Sequence, residues 1–133
     1  MKKIIIEENV VNVQISKTYK EITVLTENVD EKGLFLKLTR SYNTKGMTPD
    51  ELYNATRKEW KVNINRATQA EYVFALHNND IVEVYKPLNW YVNIKTGRLM
   101  FEGQLAPNVI RQKYLGMHIS KFENYQIPTI YNF

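Results

Sequence analysis

The sequence predicts an α+β fold, in which a small mixed sheet that is strongly curved or barrel-like carries two short helices. Short runs of β-branched and aromatic residues recur along the chain, and two segments carry helix signals that interrupt the series of strands instead of alternating with them. The 133 residues, of which 44% are hydrophobic and 24% charged, fit one globular domain. We therefore predict a single domain over residues 1–133, with an N-terminal strand extension over 1–33 and the main body over 34–133.

The first forty residues predict short strands. Three β-branched runs are separated by polar breaks: Ile4–Ile6, Val10–Ile15 and Ile22–Leu25. A turn over 30–33 then leads into a strand over 34–40. On that strand the residues expected to face inward are Leu34, Leu36 and Leu38.

The first helix has a complete N-terminal signal. Thr48 is the expected N-cap, Pro49 takes the first helical position, and Glu51 completes a Thr-x-x-Glu capping box. The pattern predicts a helix over about 49–58. The side chains expected on its buried face are Leu52, Tyr53 and Ala55.

The second half of the chain alternates short strands with turns. The expected strands span 60–64, 71–76, 81–85 and 98–105, with a single helical turn over 65–70. Asn78, Asn79 and Asp80 predict a hairpin turn, because Asn tolerates the left-handed region. Residues 86–97 read as a longer connection. Pro107 opens a second helix that ends at Gly116, and the tail over 122–133 is extended because Pro128 excludes a helix.

The charge distribution permits a polyanionic partner. The net charge is +4, and residues 84–121 carry six basic side chains against one acid, Glu102, although a solvated basic face explains the same pattern. The chain has no Cys, Glu7 and Glu8 interrupt an apolar start, and no apolar run approaches the ~20 residues of a membrane span. We expect a soluble cytoplasmic protein with no membrane partner.

The sequence lacks a recognisable catalytic or metal-binding set. With two His and no Cys we predict no metal site and no cofactor. Pro49-Asp50 followed by Glu59-Trp60-Lys61 spells the PD…ExK string of restriction-type nucleases, but Asp50 falls in the capping box, so we interpret the string as coincidental. His118 and Ser120 lack a third orienting group. The expected class is therefore not an enzyme.

Aromatic and Arg residues supply the candidate binding site. The candidate ligand-binding residues are Trp60, Tyr72, Trp90, Arg57, Arg66 and Arg98. An aromatic ring that stacks a base contributes ~1–3 kcal/mol, and Arg would meet phosphate or a base edge. The competing interpretation is that each aromatic packs in the core. Whether Trp60, Trp90 and Arg66 line one solvent-reached pocket distinguishes the two.

The same stretch resembles a poorly characterised bacterial and phage domain. The matching residues are Glu51-Leu52-Tyr53-Asn54-Ala55-Thr56-Arg57, Trp60-Lys61-Val62, Arg66, Tyr72, Ile81–Tyr85, Trp90 and Tyr114-Leu115-Gly116. The resemblance covers residues 34–133. Such domains occur alone and beside restriction or GIY-YIG nuclease modules, which implies a PUA-like barrel that binds nucleic acid. One of two Arg after Trp60 is missing, and Met117-His118 replaces a Lys-Ser pair, so phosphate binding should be weaker or altered.

We therefore expect a non-enzymatic domain that binds RNA or DNA, with a modified or flipped base as one form of the ligand, in a phage or restriction context. Two alternatives stay open. The small size, the N-terminal strands outside the resemblance and the high Tyr content allow a phage-encoded interaction protein that inhibits a host defence component. A small-nucleotide-binding sponge would enclose a nucleotide with the same aromatic and Arg side chains. The sequence does not determine the oligomeric state.

Overall fold

The computed structural model describes residues 21–38 and 46–133. Two expected strands, Ile4–Ile6 and Val10–Ile15, lie outside the described residues. The same holds for the end of the strand expected over 34–40 and for most of the loop after it.

The described residues form six strands, three α-helices and one 3₁₀ helix. The strands are β1 (Ile22–Thr23), β2 (Gly33–Lys37), β3 (Tyr72–His77), β4 (Asp80–Val92), β5 (Leu99–Leu105) and β6 (Thr129–Tyr131). The helices are α1 (Pro49–Arg57), α2 (Ile64–Ala67) and α3 (Asn108–Tyr114), followed by the 3₁₀ helix Ser120–Asn124. The predicted α+β class is confirmed, and the third helix, α2, lies where a single helical turn over 65–70 was expected.

The six strands build one mixed, open sheet in the order β1-β6-β2-β3-β4-β5. β2 pairs parallel with β3 and β1 pairs parallel with β6, while the remaining neighbours are antiparallel. β1 and β5 are opposite edges of this sheet, so within residues 21–38 and 46–133 it is not closed into a barrel, which was one of the two forms expected. β1 falls within the predicted N-terminal extension, yet it pairs with β6 in the same sheet.

The central strands are buried on both faces. One face, which we call the α1 face, contains Leu34, Leu36, Val62, Ala67, Val73, Ala75, Tyr85, Leu99, Phe101 and Tyr131. The opposite α3 face contains Phe35, Phe74, Leu76, Val84, Tyr114, Phe122 and Ile130. The predicted burial of Leu34, Leu36 and Leu38 is confirmed. The alternating pattern did not predict that Phe35 is also fully buried, which follows from helices covering both faces.

Helix α1 begins as predicted. The Glu51 backbone N–H donates to Thr48 Oγ1 at 3.1 Å, and the Thr48 backbone N–H donates to Glu51 Oε1 at 2.8 Å. The buried residue of the helix is Thr56, whereas Leu52, Tyr53 and Ala55 are only partly buried. The Thr56 hydroxyl donates to the Leu52 carbonyl at 2.8 Å, so this polar side chain is buried with its donor satisfied.

The hairpin between β3 and β4 also forms as predicted. Asn78 and Asn79 have φ angles of 51° and 65°, the left-handed conformation that a tight hairpin turn requires. The return strand is much longer than expected, because β4 continues to Val92 through residues predicted to be a connection.

Pro87 is tolerated inside β4 because of where β3 ends. Val73↔Tyr85 is the last pair between β3 and β4, so the missing N–H of Pro87 interrupts no bond to β3. A bulge between Pro87 and Asn89 then leaves Leu88 58% exposed while β4 keeps its pairing with β5.

The expected strand over 60–64 does not form. Trp60 makes an isolated bridge to Leu99, and Ile64 already belongs to α2. Asn63 caps α2 by accepting a hydrogen bond from the Asn65 backbone N–H at 2.8 Å, a local alternative that competes with an extended strand.

The C-terminal region follows the prediction in outline. α3 ends at Tyr114, and Gly116 adopts a φ angle of 87°, typical of a residue that terminates a helix. The tail contains the 3₁₀ helix as well as the extended strand β6, whose Ile130 is buried. Among the described residues, no helix is long and apolar enough to cross a membrane.

Replacement of Gly103 should destabilise the fold. A Cβ at this position would lie 2.3 Å from the Lys86 carbonyl oxygen and 3.0 Å from Pro87 Cα, both of them backbone atoms. We expect Gly103→Ala to lower the free energy of unfolding by about 1–3 kcal/mol, measured by urea denaturation. Gln104→Ala, at the exposed next position on β5, is the matched control. Equal stability of the two variants would contradict the predicted clash.

Candidate nucleic-acid interface

Helix α1 covers the outer edge of β5 with two side chains. The Gly103 backbone N–H donates to the Tyr53 hydroxyl at 2.9 Å, and Arg57 Nε donates to the Phe101 carbonyl at 3.0 Å. An exposed sheet edge offers unpaired groups to other chains. Here side chains of α1 satisfy two of these groups, which also fixes the helix against the strand.

Trp60 continues the cover of this edge with its backbone. Its N–H donates to the Leu99 carbonyl at 2.9 Å, and the Leu99 N–H donates to the Trp60 carbonyl at 2.8 Å. The indole Nε1 donates to the Thr56 carbonyl at 2.7 Å, close to the C-terminal end of α1. Trp60 is therefore held in place by three hydrogen bonds and remains partly exposed.

Trp90 lies on the same face of the sheet as Trp60. It pairs with Phe101 across the β4–β5 ladder, and the two ring centroids are 5.3 Å apart. Both Trp residues pack against the buried residues of the α1 face and keep part of their surface in solvent. Val92, opposite Leu99, extends the same apolar surface and is 47% exposed.

The loop that joins β4 to β5, residues 93–98, is tightly hydrogen-bonded, and we call it the tip loop. The Asn93 carbonyl accepts from the Gly97 N–H at 2.7 Å, and the Asn93 N–H donates to the Arg98 carbonyl at 2.8 Å. The Asn93 side chain accepts from the Lys95 N–H at 3.0 Å and donates to Glu59 Oε2 at 2.7 Å. The last bond ties the tip loop to the segment that follows α1.

Four exposed cations surround this end of the sheet. Lys58 and Lys61 flank the Trp60 bridge, while Lys95 and Arg98 belong to the tip loop. Antiparallel pairing of Trp60 with Leu99 brings the next residue, Lys61, beside Arg98. Of the nearby acids, Glu59 is engaged by Asn93 and Glu102 accepts from the Tyr91 hydroxyl. We define the tip surface as Lys58, Trp60, Lys61, Trp90, Val92, Ile94, Lys95 and Arg98.

Two of the predicted site residues lie elsewhere. Arg66 Nη2 donates to Thr23 Oγ1 and to the Phe133 carbonyl, and its guanidinium lies 4.1 Å from the centroid of the Tyr131 ring. Arg66 thus joins α2 to β1 and to the end of β6. Glu21 belongs to the same region, accepts from the Asn63 N–H at 2.9 Å, and has a pKa raised by burial.

Tyr72 is separated from both Trp residues by the sheet itself. It packs against the buried residues of the α3 face, opposite the face that carries Trp60 and Trp90. The Lys86 ammonium lies 5.3 Å from its ring centroid. The structure therefore brings together Trp60, Trp90 and Arg57, with Arg98 close by in register, and places Tyr72 and Arg66 apart from them.

The nuclease-like string is split by α1. Asp50 is exposed in the first turn of the helix and Glu59 follows its end, so roughly 10 Å of helix rise lies between them. Within residues 21–38 and 46–133, no group of three or more His, Asp or Glu side chains is arranged to hold a metal ion.

A His with two carboxylate partners lies at the opposite end of β4. His118 Nδ1 is 2.6 Å from Asp80 Oδ1, and His118 Nε2 is 2.5 Å from Glu123 Oε2. The hydrogen bonds to Glu123 and Asp80 raise the pKa of His118. The carboxylates bind different ring nitrogens, so the trio links the β3–β4 hairpin to the 3₁₀ helix.

The sequence interpretation missed several residues of the tip surface. The candidate ligand-binding residues expected from the sequence do not include Lys58, Lys61, Lys95 or Ile94. A local sequence pattern does indicate the tip loop. Asn93, Thr96 and Gly97 are turn-forming residues, spaced as in a short hairpin loop between two strands.

Removal of the Tyr53 hydroxyl should destabilise the attachment of α1. In Tyr53→Phe the Gly103 N–H loses its partner, and we expect a loss of about 1 kcal/mol in the free energy of unfolding. Tyr91→Phe is the control, because its hydroxyl bonds an exposed carboxylate and its removal should change stability little. Urea denaturation of both variants measures the difference. A Tyr53→Phe variant as stable as Tyr91→Phe would show that this bond does not hold the helix.

The His118 trio should stabilise the protein more at low pH than at high pH. The pKa of His118 is raised in the folded state, so its contribution is complete below the unfolded pKa of about 6.5 and is lost as the pH rises through the folded pKa. The Tm advantage of the wild type over His118→Gln should therefore be larger at about pH 6 than at about pH 9. The double variant Asp80→Asn/Glu123→Gln should lose the same pH-dependent difference. A Tm advantage that does not change with pH would contradict the charged trio.

Comparison with known proteins adds no relative at this stage. No protein-family model, no curated protein and no solved structure matches the chain. The resemblance to the bacterial and phage domain accordingly stays a prediction, and the function is argued from the geometry of the tip surface.

Proposed function

We propose that this protein is a non-enzymatic nucleic-acid-binding domain and that the tip surface contacts the nucleic acid. The observation that carries the proposal is that two partly exposed Trp residues and four exposed cations are carried by the β4–β5 hairpin and the segment bridged to it. Cations bind phosphates without regard to sequence, and aromatic rings stack on bases of any type. Trp60, Trp90 and Arg98 keep the roles expected from the sequence.

The charge arrangement at the tip surface supports a polyanionic ligand over a neutral one. Lys61, Lys95 and Arg98 come from two segments of the chain that are tied together by the Asn93–Glu59 bond. Their spacing is therefore fixed before the ligand arrives, which reduces the entropy lost on binding. If all four cations meet phosphates, the slope of log K against log salt concentration should be roughly −3 to −4.

The proposed ligand is RNA or DNA. In one form of the proposal, Trp60 and Trp90 contact a modified or flipped base. A PUA-like character of the sheet and a phage or restriction context belong to the same proposal and rest on the sequence resemblance alone. A closed nucleotide pocket built from all the predicted residues is less well supported, because Tyr72 and Trp60 lie on opposite faces of the sheet.

A second candidate function is that of an interaction protein. Leu88 and Val92 are 58% and 47% exposed on the same β4–β5 ribbon, and several exposed apolar side chains on one ribbon favour a protein partner. A host defence component that this protein inhibits is the partner expected from the sequence. Binding to a protein that survives nuclease treatment, with no salt-dependent binding to nucleic acid, would favour this candidate over the first.

Neutralising the tip-loop cations should weaken binding and its dependence on salt. We expect Lys95→Gln and Arg98→Gln each to reduce the magnitude of the salt slope by about 1, measured by fluorescence anisotropy with short DNA and RNA. Lys121→Gln is the control, because Lys121 is an exposed cation near the opposite end of β4. Absence of salt-dependent binding by the wild type would overturn the proposal. An equal effect of Lys121→Gln would move the binding surface away from the tip.

A further inference from the structure

The tip loop presents an apolar side chain almost completely to solvent. Ile94 is 94% exposed, the highest value among the exposed large hydrophobic residues of the described chain. Turns of this kind are normally built from polar residues and Gly, as the neighbouring Asn93, Thr96 and Gly97 are. Ile94 contributes nothing to the core, so its type is not explained by folding.

The backbone that carries Ile94 is held by hydrogen bonds on both sides. The Asn93 side chain and carbonyl accept from the backbone N–H groups of Lys95 and Gly97, and Thr96 Oγ1 accepts from the Arg98 N–H at 3.2 Å. The bond from Asn93 to Glu59 attaches the loop to the body of the protein. A side chain on such a loop projects in a fixed direction and loses little freedom when it is inserted into a partner.

Two exposed cations lie on the same loop as Ile94. Lys95 follows Ile94 directly, and Arg98 lies across the loop where the chain returns to β5. The minor groove of B-form DNA is about 6 Å wide and is bordered by phosphates on both sides. A loop with one central apolar side chain and cations beside it enters this groove only where a kink widens it, and its cations then lie near the phosphates, whereas the minor groove of A-form RNA is wide and shallow throughout.

We infer that Ile94 is a wedge that enters a base-pair step of duplex DNA from the minor groove and kinks it. Apolar side chains such as Ile, Leu and Phe act in this way in architectural proteins. Contacts between the protein and the bent duplex offset the free energy lost when the base-pair step is unstacked. The inference rests on the proposed function, because it requires the cations of the tip surface to meet phosphates. It goes further by naming the ligand as duplex DNA and the mode of binding as insertion.

The wedge is tested by measuring whether the protein bends and unstacks a labelled DNA duplex. A duplex of about 20 base pairs carries a dye at each end and a fluorescent adenine analogue at a central TA step, which is easily deformed. The wild type should shorten the distance between the dyes and increase the fluorescence of the analogue. Ile94→Ser should lose both signals and roughly tenfold in affinity, with an unchanged salt slope. Ile94→Leu should retain both signals.

Val109→Ser is the matched control, because Val109 is another β-branched residue, 71% exposed, but lies on α3. It should bend DNA as the wild type does. Bending by Ile94→Ser equal to that of the wild type would overturn the wedge and leave the proposed function intact. Equal affinity for duplex RNA or single strands, without bending, would overturn the wedge in the same way. Failure of the wild type to bind any nucleic acid would overturn both.

Discussion

The closure of the β5 edge by α1 and Trp60 is the interaction on which the candidate interface depends. Tyr53 and Arg57 satisfy backbone groups of β5, and Trp60 exchanges two backbone hydrogen bonds with Leu99. An open edge would leave these groups available for pairing with another chain. A helix, and not β1, covers this edge, so the described sheet stays open. The end of the sheet at β5 therefore presents charged residues from two chain segments.

The segment after Trp60 connects the two edges of the sheet. Trp60 contacts β5, Val62 is fully buried on the α1 face, and Arg66 reaches β1 and the end of β6. Four strand spacings of about 4.8 Å separate β5 from β6, and the extended residues after Trp60, the turn of α2 and the long Arg66 side chain together cross them. This explains why Trp60 and Arg66, close in sequence, do not share a site.

The residues that carry the sequence resemblance have structural roles that account for their types. The aromatic ring and hydroxyl of Tyr53, the planar donor of Arg57 and the indole of Trp60 are all used to attach α1. Trp60 and Trp90 remain partly exposed after these contacts are made. The core interpretation therefore applies to the packed part of each Trp side chain, and the binding interpretation applies to its exposed part.

The sequence by itself determined the features that depend on neighbouring residues. The capping box at Thr48, the left-handed turn at Asn78 and Asn79, and the helix end before Gly116 all formed where the sequence predicted them, because each is fixed by bonds within a few residues. The continuation of β4 past Pro87 depended on where β3 stops.

Only the tertiary structure decided which face each side chain occupies and which groups meet. Tyr72 and Trp60 look equivalent in sequence, but the register of Tyr72 with Gly33 and of Trp60 with Leu99 places them on opposite faces of the sheet. The cations of the tip surface come from segments that no local pattern connects. Long-range strand pairing depends on the packing of the whole chain. The sequence therefore indicated which kinds of residue form the site, and the tertiary structure determined which individual residues lie there.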